Sequence, residues 1–179
     1  MKKYFTLAQK IPFAYCLVSV FFMAIFMGIV LPYEASLLNE YLNGLSAPDT
    51  RFFYTSDTLY HIAAALNETG RNAYIISRLR FDIAWPLVYS FFFYTSISVL
   101  FKHSMYLNKV LLIVFFAFLF DLLENTIVSL VFYYYPKEIL FLPHIAGFMT
   151  LFKWLAIIVL FIVMVFGLYK KLFQSIHRS

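Results

Sequence analysis

The stretch of sequence that decides the fold class covers residues 110–133 and reads VLLIVFFAFLFDLLENTIVSLVFY. It is apolar except for a polar group centred on residues 121–126. About 20 such residues, wound as a helix, cross the ~30 Å hydrocarbon core of a bilayer. The run is too long for a strand and shows no period-two alternation. We therefore predict a transmembrane helix over residues 110–133.

Three further segments, residues 11–31, 81–101 and 147–168, have the same length and apolar character, and Pro32 ends the first of them. Lysines precede the first segment, as in a signal peptide. It is longer than a usual signal core and lacks an A-x-A-like cleavage site, so we interpret it as a retained helix. The predicted fold class is all-α: a polytopic membrane protein with four transmembrane helices in a single domain, residues 1–179.

The composition leads to the same class. Of the 179 residues, 63% are apolar and 13% are charged, with a mean hydropathy of +0.82. Soluble domains are nearer 45–50% apolar and about 25% charged, so this composition excludes an ordinary soluble enzyme, a disordered chain and a nucleic-acid-binding domain. Cys16 is the single cysteine, and the histidines form no ligand motif. We therefore expect no disulfide, no cofactor and no protein-built metal site.

The charges predict an orientation. Three regions have basic residues and no acidic ones: the two chain ends and the loop after the second segment. Their basic residues are Lys2, Lys3, Lys10, Lys102, Lys109, Lys170, Lys171 and Arg178. Because basic residues concentrate on the cytoplasmic side, both termini should be cytoplasmic. Helical spans belong to the cytoplasmic (inner) membrane rather than to an outer membrane of barrels. The lipid bilayer is therefore the first expected partner, and nucleic acid is not expected.

The first loop, residues 32–80, is too long to be an idle connection. Ser56 is a plausible N-cap, apolar residues follow it at helical spacing, and Gly70 can end a helix. We predict a short amphipathic helix over residues 57–69 at the outer membrane interface. A second helix should start near Arg71 and continue into the second segment.

Ionisable residues inside the apolar segments are the candidate site. Asp121, Glu124 and Asn125 share one helical face because of their spacings of three and four. A carboxylate at that depth costs from about 2.5 kcal/mol upward, so it must face protein, water or a counter-charge. Lys153, in the fourth segment, lies at the same depth as Glu124 when ~1.5 Å is counted per residue. We predict that Lys153 pairs with Glu124 or Asp121, either as a register-fixing lock or as part of a functional site.

A polar and aromatic stripe follows the second helix at helical spacing: Arg71, Tyr74, Arg78, Asp82 and Tyr89. Arg78 can pair with Asp82 at i,i+4, and Pro86 leaves the carbonyl of Asp82 without its helical donor. The alternative is that the arginines are only interfacial anchors. The ligand-binding hypothesis joins both sets in a pocket open to the outer face, formed by Asp82, Tyr89, Asp121, Glu124, Asn125 and Lys153, with Arg71, Tyr74 and Arg78 leading into it.

Three motifs carry a resemblance: Gly70-Arg71-x-x-Tyr74, Asp82-x-x-x-Pro86-x-x-Tyr89 and Asp121-x-x-Glu124-Asn125. Over about two thirds of its length the chain resembles a group of small uncharacterised bacterial four-helix integral membrane proteins. That resemblance implies the topology and the stripe but no chemistry. A fainter, architectural resemblance is to emopamil-binding and sigma-2-receptor-type bundles, which also have an acidic residue shortly before a proline in the second helix.

Three functions remain open at this point. The first and preferred one is a bundle that binds or transports an ion or a small amphiphilic ligand at the buried polar residues. Four helices are few for a lone transporter, so transport would need a homo-oligomer. The second is a membrane enzyme acting on a lipid or isoprenoid, with a carboxylate as acid or base. The third is a structural or accessory subunit that binds a membrane partner protein. The sequence does not decide whether the chain is an enzyme.

Overall fold

A computed structural model describes residues 7–42 and 44–176, with side chains to residue 173. Lys2, Lys3 and Arg178, which support the predicted orientation, lie outside the described residues. The described part is helical, without strands, and its helices are α1 (Phe13–Ile25), α2 (Leu31–Leu42), α3 (Ser56–Ala65), α4 (Glu68–Leu100), α5 (Leu107–Tyr134) and α6 (Leu142–Ile176).

Four helical stretches are long and apolar enough to span a membrane: Phe13–Leu42, Glu68–Leu100, Leu107–Tyr134 and Leu142–Phe173. This confirms the all-helical class and the four apolar helices. Large apolar side chains face outward along them, as at Phe21, which is 62% exposed. Such a surface suits lipid, since water would strongly disfavour it.

The first helix continues past Pro32, where the sequence predicted its end. A π-helical turn, Phe26–Val30, joins α1 to α2, and the helix continues to Leu42. Inside a continuous helix a proline lacks the N–H that would bond to an earlier carbonyl, and its ring would collide with the carbonyl oxygen four residues before it. The wider π turn accommodates the ring of Pro32 where a regular α-helix would meet a carbonyl oxygen. Residues predicted as loop are therefore helical.

Helix α3 occupies the predicted position of the short loop helix, with different ends. Thr55 is its N-cap instead of Ser56, and it ends at Ala65 because Asn67 caps the start of α4 by accepting a hydrogen bond from the N–H of Gly70 at 2.7 Å. Gly70 therefore lies in the first turn of α4 rather than after α3. The apolar residues of α3 are buried against the bundle, with Leu59 fully buried. Whether α3 lies at a membrane interface stays a prediction.

The core consists of two apolar clusters with polar side chains between them. One cluster, which includes Leu59, Tyr74 and Phe132, lies at the end of the bundle that carries α3, called here the loop end. The other includes Phe93, Leu107 and Leu160 and lies toward the opposite end. Helices α4, α5 and α6 pack on one another, and α1 packs on α4. This arrangement places the middle of α4, α5 and α6 around a common polar layer.

Candidate functional site

The polar layer contains the ionisable residues that the sequence singled out, together with two that it did not. We call it the polar cluster, and its members are Asp49, Tyr54, Arg78, Asp82, Tyr89, Asp121, Glu124, Asn125 and Lys153. All except Asp49 are buried. The cluster divides into a Lys153 group (Tyr54, Tyr89, Asp121, Glu124, Lys153) and an Arg78 group (Asp49, Arg78, Asp82, Asn125).

Lys153 joins α6 to α5. Its Nζ lies 2.6 Å from Oε2 of Glu124 and 3.4 Å from Oδ1 of Asp121. The pairing predicted from equal depth is confirmed, and it involves both carboxylates. Glu124 is fully buried, at 0% exposure. A charged group in such a place is stable only with its counter-charge beside it.

Two tyrosines complete the Lys153 group. The hydroxyl of Tyr89 lies 3.1 Å from Oδ2 of Asp121, and that of Tyr54 donates to Oε1 of Glu124 at 3.4 Å. Tyr54 belongs to the connection between α2 and α3, which sequence spacing cannot place beside α5. Burial raises the pKa of the Tyr54 hydroxyl, and the nearby Glu124 carboxylate raises it further. Tyr54 therefore stays protonated and donates.

Arg78 is the centre of the second group. Its Nη1 lies 2.6 Å from Oδ2 of Asp82, which confirms the predicted i,i+4 pair. Its Nη2 lies 2.6 Å from Oδ1 of Asp49, and Nη1 also reaches Oδ1 of Asn125 at 3.3 Å. The guanidinium additionally covers the ring of Tyr74, 4.5 Å from its centroid. Arg78 thus connects α4 to α5 and to the loop.

Asp49 was not among the predicted site residues. It lies in a short 3-10 turn, Pro48–Thr50, in the connection between α2 and α3. Loss of hydration by itself would raise the pKa of the partly buried Asp49, but the charge and hydrogen bond of Arg78 outweigh this effect and lower the pKa from 3.8 to about 2. Asp49 is therefore a carboxylate at neutral pH and balances Arg78. A loop residue of this kind carries no periodic signal in the sequence.

Asn125 connects the two groups. Its Nδ2 donates to Oδ1 of Asp121 at 3.0 Å and to the backbone carbonyl of Asp82 at 3.3 Å, while its Oδ1 accepts from Arg78. Pro86 has no N–H, so it cannot donate to that carbonyl within α4. The side chain of Asn125 supplies the missing donor from the neighbouring helix. The sequence pattern predicts the free carbonyl, and the structure shows what satisfies it.

Arg71 and Tyr74 do not form a path into the cluster. Arg71 turns toward α3, where its Nη1 donates to the carbonyl oxygens of Ala63 at 3.2 Å and Leu66 at 2.5 Å. Its guanidinium lies over the ring of Tyr135, 5.0 Å from the centroid. Tyr74 packs against Phe132 within the apolar cluster of the loop end. Arg71 therefore binds the carbonyl end of α3, and Tyr74 packs between Phe132 and the guanidinium of Arg78.

Two cavities adjoin the Arg78 group. The α2–α4 cavity, of about 270 Å³, is lined by Glu34, Leu38, Asp49, Arg78, Phe81 and Asp82 among others. The α4–α5 cavity, of about 240 Å³, is lined on its polar side by Arg78, Asp82, Asn125 and Ser129. Tyr89, Asp121, Glu124 and Lys153 line neither cavity. The single pocket expected from the sequence is therefore divided: the Lys153 group is closed, and the Arg78 group borders open space.

Glu34 is a candidate residue that the sequence interpretation missed. It lies in α2, half-buried, and its Oε2 accepts a hydrogen bond from the hydroxyl of Ser77 at 3.3 Å. The sequence does contain a signal for a helix here, since Leu31, Ala35, Leu38 and Leu42 recur at helical spacing. Because Pro32 was interpreted as the end of the first helix, this helical pattern was assigned to a loop.

The chain matches no family model, and no curated protein or solved structure is significantly similar to it. The resemblances drawn from the three motifs accordingly stay proposals. The interpretation of the site rests on its own geometry and charges.

Proposed function

We propose that this chain is a multi-pass protein of the cytoplasmic membrane with both termini in the cytoplasm. Four helices are long and apolar enough to span a bilayer, and an even number of spans returns the chain to its starting side. Eight of the 14 basic residues lie at the two ends and in residues 101–109, where the sequence has no acidic residue, whereas Glu34, Asp49 and Glu138 lie on the other side. By the positive-inside rule, the loop end of the bundle then faces the outside of the cell.

The function we propose is the binding of a small amphiphilic cation in the α2–α4 cavity. The observation that carries this proposal is the charge of the cavity wall. Three carboxylates, Glu34, Asp49 and Asp82, border it, and Arg78 is already paired with two of them. The wall therefore has a formal excess of negative charge. A ligand cation would balance it in surroundings where water screens little.

The remaining wall indicates the chemistry of the rest of the ligand. Leu31, Leu38, Leu42 and Phe81 give the cavity an apolar side. Its volume of about 270 Å³ lies near the lower end of small-molecule pockets, which range from about 300 to 1,000 Å³. A small organic ammonium ion with one apolar group fits this combination. A sterol or a complete lipid is too large.

An organic cation fits the wall better than a metal ion does. Within residues 7–42 and 44–176, no three His, Cys, Asp or Glu side chains converge so that they could hold a metal. The carboxylates border the cavity on α2, on α4 and in the loop. Separated carboxylates of this kind suit a charge carried on a larger organic group.

A second candidate function, an enzyme acting on a lipid or isoprenoid, is favoured by the α4–α5 cavity alone. Its lining includes Leu79 and Ile83, which are 59% and 47% exposed and would face acyl chains. A lipid headgroup entering between α4 and α5 would meet Asp82 and Asn125. Turnover of a lipid that is lost in Asp82→Asn, with folding retained, would favour this candidate over simple binding.

Equilibrium binding of a phenylalkylammonium ion to the purified protein in neutral detergent tests the proposed function. The alcohol and the carboxylate of the same chain length are the neutral and anionic controls. We expect the ammonium ion to bind and the carboxylate not to bind. Glu34→Gln should weaken binding about tenfold or more, because a charge-assisted contact contributes about 1.5–3 kcal/mol.

Glu40→Gln is the matched control, because Glu40 lies exposed on the same helix and does not line the cavity. It should bind the ammonium ion as the wild type does. Equal binding of the alcohol, or equal losses in the two variants, would contradict the proposal.

A further inference from the structure

A larger cavity lies at the opposite end of the bundle from the Arg78 group. Its volume is about 770 Å³, and it is an open cleft bordered by the end of α4, the 101–106 connection and the last turns of α6. The lining residues that matter for its charge and shape are Phe101, Lys102, His103, Gly167, Lys170 and Lys171. It shares no residue with the α2–α4 cavity.

The charge around this cavity is entirely basic. Three lysines line it, and the sequence has no acidic residue between Asp82 and Asp121 or after Glu138. Nothing in these stretches therefore neutralises Lys102, Lys170 and Lys171. A cavity with this wall attracts an anion, and the attraction is strongest where water is partly excluded.

The cavity is built by packing, which keeps its basic residues together. Gly167 lets the ring of Phe101 lie directly on α6, since a Cβ there would lie 2.7 Å from Cε2 of that ring. The connection is held by a hydrogen bond from the N–H of Ser104 to the carbonyl of Phe101 at 2.8 Å. A second runs from the N–H of Tyr106 to Oγ of Ser104 at 3.2 Å. Lys102 of the connection and Lys170 and Lys171 of α6 thus line the same cavity.

We propose that this cavity binds the phosphate headgroup of an anionic phospholipid. Lys102, Lys170 and Lys171 would contact the phosphate, while Val99, Leu100 and Phe166 give the cavity an apolar side suited to the first carbons of an acyl chain. Basic pockets between helices at a membrane surface bind lipid headgroups in this way. The apolar side favours a lipid over free phosphate. This proposal is independent of the cation site.

Thermal unfolding of the delipidated full-length protein in neutral detergent tests it. Phosphatidylglycerol, phosphatidylcholine and inorganic phosphate are the three probes. Phosphatidylglycerol should raise Tm with saturation, and the other two should raise it little. Lys170→Gln/Lys171→Gln should lower the apparent affinity for phosphatidylglycerol about 30-fold, since each lysine near an anionic lipid contributes about 1 kcal/mol, or about fivefold.

Lys10→Gln/Lys109→Gln is the matched control. It removes the same charge from exposed residues that do not line the cavity. Ala8, close to Lys10, packs with Leu107 in one apolar cluster, so both lysines lie at this end of the bundle. The control should keep its affinity, and Lys170→Arg/Lys171→Arg should keep it too.

Three results would overturn the proposal. Equal losses in the cavity pair and the control pair would mean that overall surface charge attracts the lipid. Full stabilisation by inorganic phosphate would mean that the site takes a free anion. Equal stabilisation by phosphatidylcholine would mean that the headgroup charge is not recognised.

Discussion

Lys153 and Glu124 show how a charged pair can be retained inside an apolar bundle. Their 2.6 Å contact is supported by Asp121 on one side and by the Tyr54 hydroxyl on the other. Each ion loses its hydration on burial, so the pair contributes little net stability compared with apolar residues. Removing Lys153 has a much larger effect, because Glu124 and Asp121 are then both left without their cation. Neither Lys153 nor Glu124 lines the α2–α4 cavity or the α4–α5 cavity, which favours a structural role.

A double-mutant cycle at this pair measures that role. Lys153→Met should lower the free energy of unfolding by about 3–5 kcal/mol, because it leaves two buried carboxylates without their cation. Glu124→Gln should lower it by less, because Lys153 keeps Asp121 at 3.4 Å. The double variant should recover part of the loss in Lys153→Met, because Asp121 is then the one carboxylate of the pair's surroundings without a cation, and it keeps its hydrogen bonds from Tyr89 and Asn125. Thermal unfolding in detergent gives the three values. Neutral or stabilising single variants would show that the charges are kept for another purpose.

Asp49 makes a pH-dependent contribution to stability. Its pKa in the folded protein is about 2, below the ordinary value of 3.8, because Arg78 stabilises the carboxylate. Its contribution is therefore complete above about pH 5 and is lost as the pH falls from there toward 2, because the unfolded chain takes up the proton first. The difference in unfolding free energy between wild type and Asp49→Asn should be constant from pH 7 to pH 5. It should shrink below pH 4.

Glu40→Gln is the reference for the pH series, since Glu40 is exposed. Its difference from the wild type should change little over the same range. A difference between wild type and Asp49→Asn that grows as the pH falls would contradict the assignment of Asp49 as the partner of Arg78.

The residues that sequence could predict were those on regular helices. Equal depth identified Lys153 and Glu124 as partners, and the i,i+4 spacing identified Arg78 and Asp82. Asp49 and Tyr54 could not be found, because a loop residue reaches its partner through the tertiary fold and not through a periodic spacing. The direction in which the Arg71 side chain turns could not be predicted from helical spacing either, since the position of α3 determines it.

At the scale of elements, hydropathy predicted which segments are helical better than where they end. The four apolar helices agree with prediction because length and apolar character determine them. The ends depend on local capping: the π turn before Leu31 carries the helix past Pro32, and Asn67 starts α4 earlier than Arg71. The α2–α4 cavity exists because of the first of these differences.

The contact between α6 and the loop offers a test at this scale. A Cβ on Gly147 would collide with the backbone oxygen of Tyr54, and this atom cannot move without moving the loop. Gly147→Ala should therefore lower the free energy of unfolding by about 1–3 kcal/mol. Gly28→Ala is the control, because nothing lies within 4 Å of its Cβ position. It should be neutral or stabilising by up to about 1 kcal/mol.

Loss of stability in both glycine variants would point to helix flexibility as the cause and not to the loop contact. Unchanged stability in Gly147→Ala would show that the backbone at Tyr54 can move away from α6. The Tyr54 hydroxyl, which donates to Glu124, would then move with it.

For the whole molecule, the distribution of charge predicts the orientation. Cys16 is the single cysteine, so Cys16→Ser gives a background for site-specific labelling. In intact cells, Glu138→Cys in this background should react with a membrane-impermeant maleimide, and Lys102→Cys should react only after lysis. The two positions lie at opposite ends of α5. The reverse pattern would contradict the proposed orientation.

The central claim is that the two halves of the polar cluster have different roles: the Lys153 group stabilises the bundle, and the Arg78 group borders a cation site. The shift in Tm produced by a phenylalkylammonium ion tests it most directly, because a ligand that binds the folded state raises Tm. At one fixed ligand concentration the shift should persist in Glu124→Gln/Lys153→Met, whose residues line neither cavity, and be strongly reduced in Glu34→Gln. A shift that persists in Glu34→Gln and is lost in Glu124→Gln/Lys153→Met would contradict the account.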